Sequence, residues 1–464
     1  MTHESLTFER AMVEKYDRPG PRYTSYPTAP RFHSDFSLEA YREAVDLSNG
    51  DLLPKPLSLY VHIPFCRQLC YYCACHKIIT HRDERASEYL NYLKREIRLQ
   101  AYLFDADRQV TQLHLGGGTP TYLTGDQIAE LMTVLDDAFC LDWSESREFS
   151  LEIDPRSVSL ATLGELKAQG FNRLSIGVQD FDPTVQQAVN RVQSEAHVSD
   201  LVATARDEGF ASVSVDLIYG LPCQTVASFS RTLDKVIALR PDRIATYSYA
   251  HLPETFRAQR LIQSSDMPTP AQKLELLALI IDRLQAAGYV YIGMDHFALP
   301  DDELVRARDA GTLQRNFQGY STQADCDLIG LGISAIGKVA DTYSQNAKSL
   351  PDYYHRLDEL QLPVVRGYRL SDDDRLRRDV IHHLMCHGVV DIPAIEQHYA
   401  IDFRVYFAES LRQLEAPMAD GLVTLDDASL TLQPRGRLVM RNIAMAFDAY
   451  LQDGAYQRPF SRTV

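Results

Sequence analysis

Cys66, Cys70, Cys73 and Cys75 fall within one stretch, "HIPFCRQLCYYCACHK", residues 62–77. Four thiols so close in sequence can serve a metal, a disulfide or a cluster. A structural zinc site takes two short cysteine pairs separated by a longer loop, and here a single loop would have to wrap the ion alone. A redox Cys-x-x-Cys pair leaves the other cysteines unexplained. The spacing Cys-x3-Cys-x2-Cys differs from the ferredoxin run and supplies three thiolates from one loop, which can leave one iron of an iron–sulfur cluster open. An open iron can chelate the amino and carboxylate groups of S-adenosylmethionine (SAM), and this pair of cofactors carries radical chemistry. Cys66, Cys70 and Cys73 are the expected ligands, with Tyr72 just before the third. Cys75 is left over, and the residues leave open whether it is catalytic or a packed spare thiol.

Elements that could hold such a loop follow from periodicity. Short β-rich runs alternate with amphipathic stretches from about residue 58. "LSLYVHIPF" reads as a strand and "ERASEYLNYLKREIRLQAYLF" as a helix; "TQLHLGGG" reads as a strand and "GDQIAELMTVLDDAF" as a helix. "FSLEIDP", "RLSIGVQDF", "ASVSVDLIYG", "RIATYSYAHL" and "YVYIGMDHFAL" add strands. This alternation predicts an α/β fold with a parallel sheet and crossover helices. Polar residues and glycines collect at the strand ends: Cys66, Gly116–Gly118, Glu152 with Asp154, Gln179, Asp216 and His251. That end carries the chemistry of a parallel barrel. A partial or complete TIM-type barrel is the first expectation and a flat doubly wound sheet the second.

Three regions are expected. Residues 1–57 form an N-terminal arm, since "RPGPRYTSYPTAPRF" has prolines and aromatics without a period of 2 or 3.6. Residues 58–364 form the barrel. Residues 365–464 form a mainly helical domain, with "RVYFAESLRQLEAPMADG" and "RGRLVMRNIAMAFDAYLQ" as helices and "LVTLDDASLTLQP" as a hairpin between them. This layout resembles a winged helix, for which a lid or packing role is preferred over DNA binding.

The charge balance sets the partners. With 63 acidic against 47 basic residues and a net charge of −16, the chain lacks the basic footprint of a nucleic-acid binder. An anionic substrate would need a local basic group. Neither a signal peptide nor an apolar run of membrane length is apparent, so a cytoplasmic protein with no membrane partner is expected. No coiled-coil heptad appears, and a monomer is expected.

The chain resembles the family of oxygen-independent coproporphyrinogen III oxidases (coproporphyrinogen dehydrogenases), radical-SAM enzymes of porphyrin and haem biosynthesis. The landmarks, spread over essentially the whole chain, are "GPRYTSYPTA", "LYVHIPFC", "LHLGGGTPTYL", "FNRLSIGVQDF", "DLIYGLP", "YAHLP", "GMDHFALPDDEL" and "RNFQGYSTQ". The resemblance implies one [4Fe–4S] cluster on Cys66, Cys70 and Cys73, and two SAM molecules. Tyr60, Gly117, Glu152 and Ile336 match positions around the SAM on the cluster. Tyr72, Gly118, Thr119, Gln179, Arg191, Asp216 and Ala250 match positions around the second. It also implies an oxidoreductase that turns two propionates of coproporphyrinogen III into vinyl groups, giving protoporphyrinogen IX. A 5′-deoxyadenosyl radical takes hydrogen from the propionate, carbon dioxide leaves, and an unidentified acceptor takes one electron; the electron donor is equally unnamed.

The residue chemistry is compatible with these roles. Glycines let a ligand approach backbone, Glu152 or Asp216 could accept ribose hydroxyls or an ammonium, and Arg191 could fork a carboxylate. Blander roles stand beside them: Gly116–Gly118 as a tight turn, Glu152, Gln179 and Asp216 as barrel-top polar pairs, and His62 and His296 as packed residues. Cys140, Cys223, Cys326 and Cys386 read as buried thiols. Arg22, Tyr23, Tyr26 and Lys77 are weaker candidates for covering the site and pairing substrate propionates, with Arg22 as an exposed arm residue the alternative. Two other functions share the motif: a haem chaperone without decarboxylase activity, whose relatives lack the arm and the cysteine at position 75, and a radical-SAM methyltransferase or nucleic-acid modifier.

Overall fold

A computed structural model describes residues 6–323, 326–452 and 460–463. Six strands form the parallel frame: β1 (Leu57–Ile63), β2 (Gln109–Gly117), β3 (Glu148–Ile153), β4 (Arg173–Gln179), β5 (Ser212–Tyr219) and β6 (Arg243–Ser248). They pair in chain order, each parallel to the next. Helices α1 (Asp83–Ala101), α2 (Gly125–Ala138), α3 (Leu160–Ala168), α4 (Glu195–Asp207) and α5 (Val226–Leu239) connect them, and α6 (Pro270–Ala286) follows β6. A doubly wound sheet reverses direction at a switch point; unreversed order is that of a barrel.

The barrel does not close. Beyond β6 the sheet ends in two antiparallel strands, β7 (Val290–Gly293) and β8 (His296–Ala298). On the far side of β1 lies parallel β9 (Asp327–Leu331), then antiparallel β10 (Ile336–Val339), β11 (Thr342–Asn346) and β12 (Val364–Arg369). The sheet therefore has two free edges, β7 and β12, and the architecture is a partial barrel.

Strand alternation separates the two faces. Leu59, Val61, Leu113, Leu115, Leu151, Ile176 and Val215 are fully buried behind the helices. The alternate positions, Tyr60, His62, His114, Glu152 and Asp216, line cavities on the concave side. On α1 the buried residues Ala86, Tyr89, Leu90, Leu93 and Ile97 recur at helical spacing. Capping boxes start α2 at Thr124, α3 at Ser159, α5 at Thr225 and α6 at Thr269.

The arm spans the seam between the free edges. Arg22 pairs with Asp295, between β7 and β8, at 3.0 Å. His33 and Gly367 of β12 exchange backbone hydrogen bonds of 3.0 Å each. Tyr23 donates to Asp448 at 3.0 Å, and Arg441 donates to the Gly20 carbonyl at 2.6 Å and to that of Pro21 at 3.0 Å. Tyr23, Tyr26, Phe32 and Phe36 are buried. A segment without periodicity thus belongs to the molecule's common packing: its buried side chains fill irregular gaps instead of forming a stripe. It also contains two helices, Arg10–Tyr16 and Leu38–Asn49.

Beyond β12 the chain forms α7 (Asp372–Cys386) and a small sheet of Val389–Asp391, Ser429–Leu432 and Val423–Leu425. The last two are the expected hairpin. Both predicted long helices are broken. The first divides into Phe403–Tyr406, Ala408–Gln413 and Glu415–Ala419, with Phe407 and Leu414 buried at the breaks. In the second, every residue from Val439 to Phe447 is buried, so no helical stripe is left to face solvent. Among the described residues, no helix is long and apolar enough to cross a membrane.

Candidate active site

The cysteine loop leaves β1 through Pro64. Phe65–Cys66 pairs in parallel with Ile78–Ile79, and the Ile78 amide donates to Pro64 at 2.7 Å. Both ends of the loop are thereby pinned. Cys66 accepts from the Thr119 hydroxyl at 3.3 Å, and burial pushes its thiol up to about 11. Cys70 accepts from Arg156 at 3.3 Å and from Arg191 at 3.5 Å. A hydrogen bond from the Cys75 thiol, helped by the charge of Lys77, lowers Cys73; the same hydrogen bond and the charge of Cys73 raise Cys75, against Lys77. Lys77 itself donates to the Cys73 carbonyl at 2.9 Å. Cationic donors around a thiol favour the thiolate.

Cys66, Cys70 and Cys73 line one cavity of about 300 Å³. Among the described residues, no three His, Cys, Asp or Glu side chains converge on the position of a single metal ion. The three thiols line a space, and the guanidinium donors at the Cys70 sulfur suit an anionic cluster there.

The same cavity is walled by Tyr72, Gly117, Gly118, Thr119, Glu152, Gln179, Arg191 and Asp216. Arg191 is buried; it bonds Asp154 at 3.1 Å and the Gly177 carbonyl at 2.5 Å. Among the described residues, its Nε and the Oε1 of Gln179, a residue with φ +66°, have no hydrogen-bond partner. Burial raises Asp154, but Arg191 and Arg156 outweigh it and hold the carboxyl below its usual range. Asp216 accepts from Ser175 at 3.0 Å. Burial, then the charge of Glu152, pushes it up to about 7.

A second cavity, of about 480 Å³, shares Gly117, Glu152 and Cys75 with the first. Its other walls include Tyr60, His62, His76, His114, Phe317 and Ile336. The His76 carbonyl can only accept, so the proton of His62 sits on Nε2 (2.9 Å), and Nδ1 accepts from Tyr60 at 3.1 Å. Burial lowers His62 to about 4. Tyr60 stacks on His114, centroids 5.9 Å apart, and His114 reaches Glu152 at 3.3 Å. Burial raises Glu152, but the bond to His114 and the Gly117 amide keep it below its usual value.

The glycine run has a packing duty as well. A Cβ on Gly117, φ +111°, would lie 2.6 Å from the His62 ring, and one on Gly118 would lie 2.6 Å from the Pro64 carbonyl carbon. The Gly118 and Thr119 amides are committed to the Ile63 and Phe65 carbonyls. These residues lock the strand end to the cysteine loop, with the cavities alongside.

The expected residues thus divide between adjoining cavities: Tyr60 and Ile336 in the larger, Tyr72, Gly118, Thr119, Gln179, Arg191 and Asp216 in the smaller, and Gly117, Glu152 and Cys75 in both. Ala250, just past β6, lines neither. Arg22 is held by Asp295, and Tyr23 faces a third cavity. Lys77 lines the smaller cavity. Of the remaining cysteines only Cys386 is buried; Cys140 is exposed, and Cys223 and Cys326 are intermediate. His114 and Arg156 escaped notice in the sequence. The signal for His114 is its place two residues before Gly116 on the concave face; for the reach of Arg156 to Cys70 there is none, because that thiol comes from another loop.

A parallel partial barrel with a three-cysteine loop at its strand ends is the frame of the radical-SAM class, and residues 60–236 match the model of the Radical SAM superfamily. Residues 370–439 match that of the HemN C-terminal domain. The chain belongs to the family of oxygen-independent coproporphyrinogen III oxidases. It is 49% identical to the Salmonella typhimurium protein of that name over 464 residues, with both chains fully covered. It is 44% identical to the Synechocystis protein, covering 100% of this chain and 99% of the other. The solved structure titled coproporphyrinogen III oxidase (HemN) from Escherichia coli superposes with a TM-score of 0.92 at 48% identity, over 96% of this chain and all of the other.

Proposed function

We propose that this chain carries out the oxygen-independent oxidation of coproporphyrinogen III to protoporphyrinogen IX in haem biosynthesis. The observation that carries this reading is the pair of adjoining cavities at the strand ends, one lined by three thiols, in a chain that matches this family over its full length. Cys66, Cys70 and Cys73 hold the [4Fe–4S] cluster. When bound, the cluster and SAM supply a 5′-deoxyadenosyl radical that removes a hydrogen atom from a substrate propionate.

The chain's own residues position and shield. Tyr60, Gly117, Glu152 and Ile336 hold one SAM in the larger cavity. Tyr72, Gly118, Thr119, Gln179, Arg191 and Asp216 hold a second in the smaller, with Ala250 beyond its rim. The unpartnered Arg191 Nε and Gln179 Oε1 support this, because buried polar atoms without partners cost stability that a ligand restores. Glu152, ionised and fixed by His114, stands at the junction of both. Residues 1–57 cover the barrel seam and exclude hydrogen donors; 58–364 carry the cofactors; 365–464 brace the arm. Each decarboxylation releases carbon dioxide and one electron to an external acceptor. An external donor would supply the electron that the bound cluster needs. The chain works as a cytoplasmic monomer, without nucleic acid or membrane.

The test is an anaerobic reaction of iron-reconstituted protein with SAM, a reductant and coproporphyrinogen III. Divinyl product with two 5′-deoxyadenosines per tetrapyrrole is expected. SAM cleavage that leaves all four propionates intact would overturn the reading.

A further inference from the structure

A third cavity, of about 310 Å³, lies between the arm, α7 and the hairpin Gln314–Ser321. Phe317 and Leu328 wall both this chamber and the larger cavity, so it adjoins the space assigned above to SAM. Its walls carry Arg315, Lys338 and Arg378 against one acid, Asp379, and three histidines, His382, His383 and His387. In a chain of net charge −16 this is a local reversal of sign.

Arg315 is the centre of that reversal. Arg378 is paired with Asp379 and Asp341, and Lys338 has a partner of its own. Arg315 makes no ion pair among the described residues, and its Nε and Nη1 are buried without a hydrogen-bond partner. Its guanidinium lies over the Tyr320 ring, 4.8 Å from the centroid. The Ser25 hydroxyl and His387 Nδ1, in the same chamber, are also without a partner among the described residues. A buried guanidinium without a counterion is costly. Its fork geometry matches a carboxylate.

We propose that this chamber receives a carboxylate of the tetrapyrrole, held by Arg315. The inference rests on the substrate proposed above. That substrate carries four propionates, of which two survive the reaction. A surviving carboxylate is charged before and after turnover, so an arginine holding it anchors the macrocycle through both decarboxylations. The bond contributes binding remote from the reacting carbon, and the chamber gives the arm a second duty, since Ser25 and Tyr26 form part of its wall.

Two variants test this. Arg315→Gln removes the charge; Ser25→Val fills the chamber from the arm side and leaves the guanidinium intact. Each should raise KM for coproporphyrinogen III about tenfold or more, the scale of one lost charged hydrogen bond. Iron content and SAM cleavage without substrate should be unchanged. Arg315→Lys should recover part of the loss. Fluorescence titration with coproporphyrin III should show the same weakening, while etioporphyrin III, which has no carboxylates, should bind wild type and variants alike. Unchanged KM and affinity in an iron-replete Arg315→Gln protein overturns the inference. If that variant loses its iron, unchanged affinity in Ser25→Val does so instead. Failure of the wild type to convert coproporphyrinogen III would mark failure of the proposed function, not of the chamber alone.

Discussion

The two cavities at the strand ends share three residues and differ in how they handle charge. In the smaller, charges hold one another: Asp154 binds Arg156 and Arg191, and both guanidiniums reach Cys70. In the larger, the polar groups are mostly neutral: His62 is locked between Tyr60 and the His76 carbonyl, and Glu152 is the charge at the boundary. A space walled by balanced charges loses much when one is removed. A space walled by neutral hydrogen bonds tolerates single losses better.

The largest effect expected is on the thiols. Replacing Cys66, Cys70 or Cys73 by Ala should take the iron content from about four per chain to near zero, read by iron and sulfide assay and the loss of visible absorption. A colourless wild-type protein with one tightly bound zinc would contradict the whole assignment. Next comes Arg191→Gln, which leaves Asp154 to Arg156 alone and removes the donor to the buried Gly177 carbonyl. It should destabilise the fold by about 2 kcal/mol, whereas His62→Gln should cost about 1 kcal/mol; denaturant midpoints compare them. Equal costs would erase the contrast between the cavities.

The pH response sharpens it. Unfolded His62 takes up a proton near 6.5 but folded His62 only near 4. Between those values the unfolded chain binds more protons, so this contribution is full above 6.5 and is lost as pH falls toward 4. Asp216 works the other way. It keeps its proton up to about 7 when folded and loses it at 3.8 when unfolded, so its contribution is present below 3.8 and is lost as pH rises to 7. In a stability profile from pH 4 to 7, His62→Gln should remove a rising component and Asp216→Asn a falling one; the same sign of change in both would refute the two environments. The smallest effect on iron is expected of Cys75→Ser. Three thiols suffice for the cluster, so absorption should persist, and loss of the cluster in this variant would mean that the ligands are wrongly chosen.

The cysteine loop was legible because its thiols lie within one short segment, where spacing is geometry. Gln179 was legible because it ends a strand, and Glu152 and Asp216 because each is an acid in the C-terminal half of a strand; a parallel barrel brings those halves together. His114 sits within β2, where its relation to Glu152 depends on the register of β2 with β3. Arg156 and Cys70 meet only when two loops pack, so neither residue announces the other. The arm's packing was not legible because periodicity detects regular burial, and Tyr23, Tyr26, Phe32 and Phe36 bury irregularly against the rest of the chain. Its second helix did carry a signal, Ser37, whose side chain caps the Ala40 amide. The broken C-terminal helices show the reverse error: apolar density was read as a stripe when it marked all-round burial.

The strap across the barrel seam has a consequence for the order of events during synthesis. Residues 6–33 are made long before Asp295, Gly367, Arg441 and Asp448, to which they bind. Contacts so distant in sequence form after local ones, and the six-strand frame and cysteine loop are complete by residue 248. The nascent chain therefore passes through a stage in which the cluster loop is framed and the seam stands open. Closing the seam is thus a late step, taken after the cysteine loop has its frame.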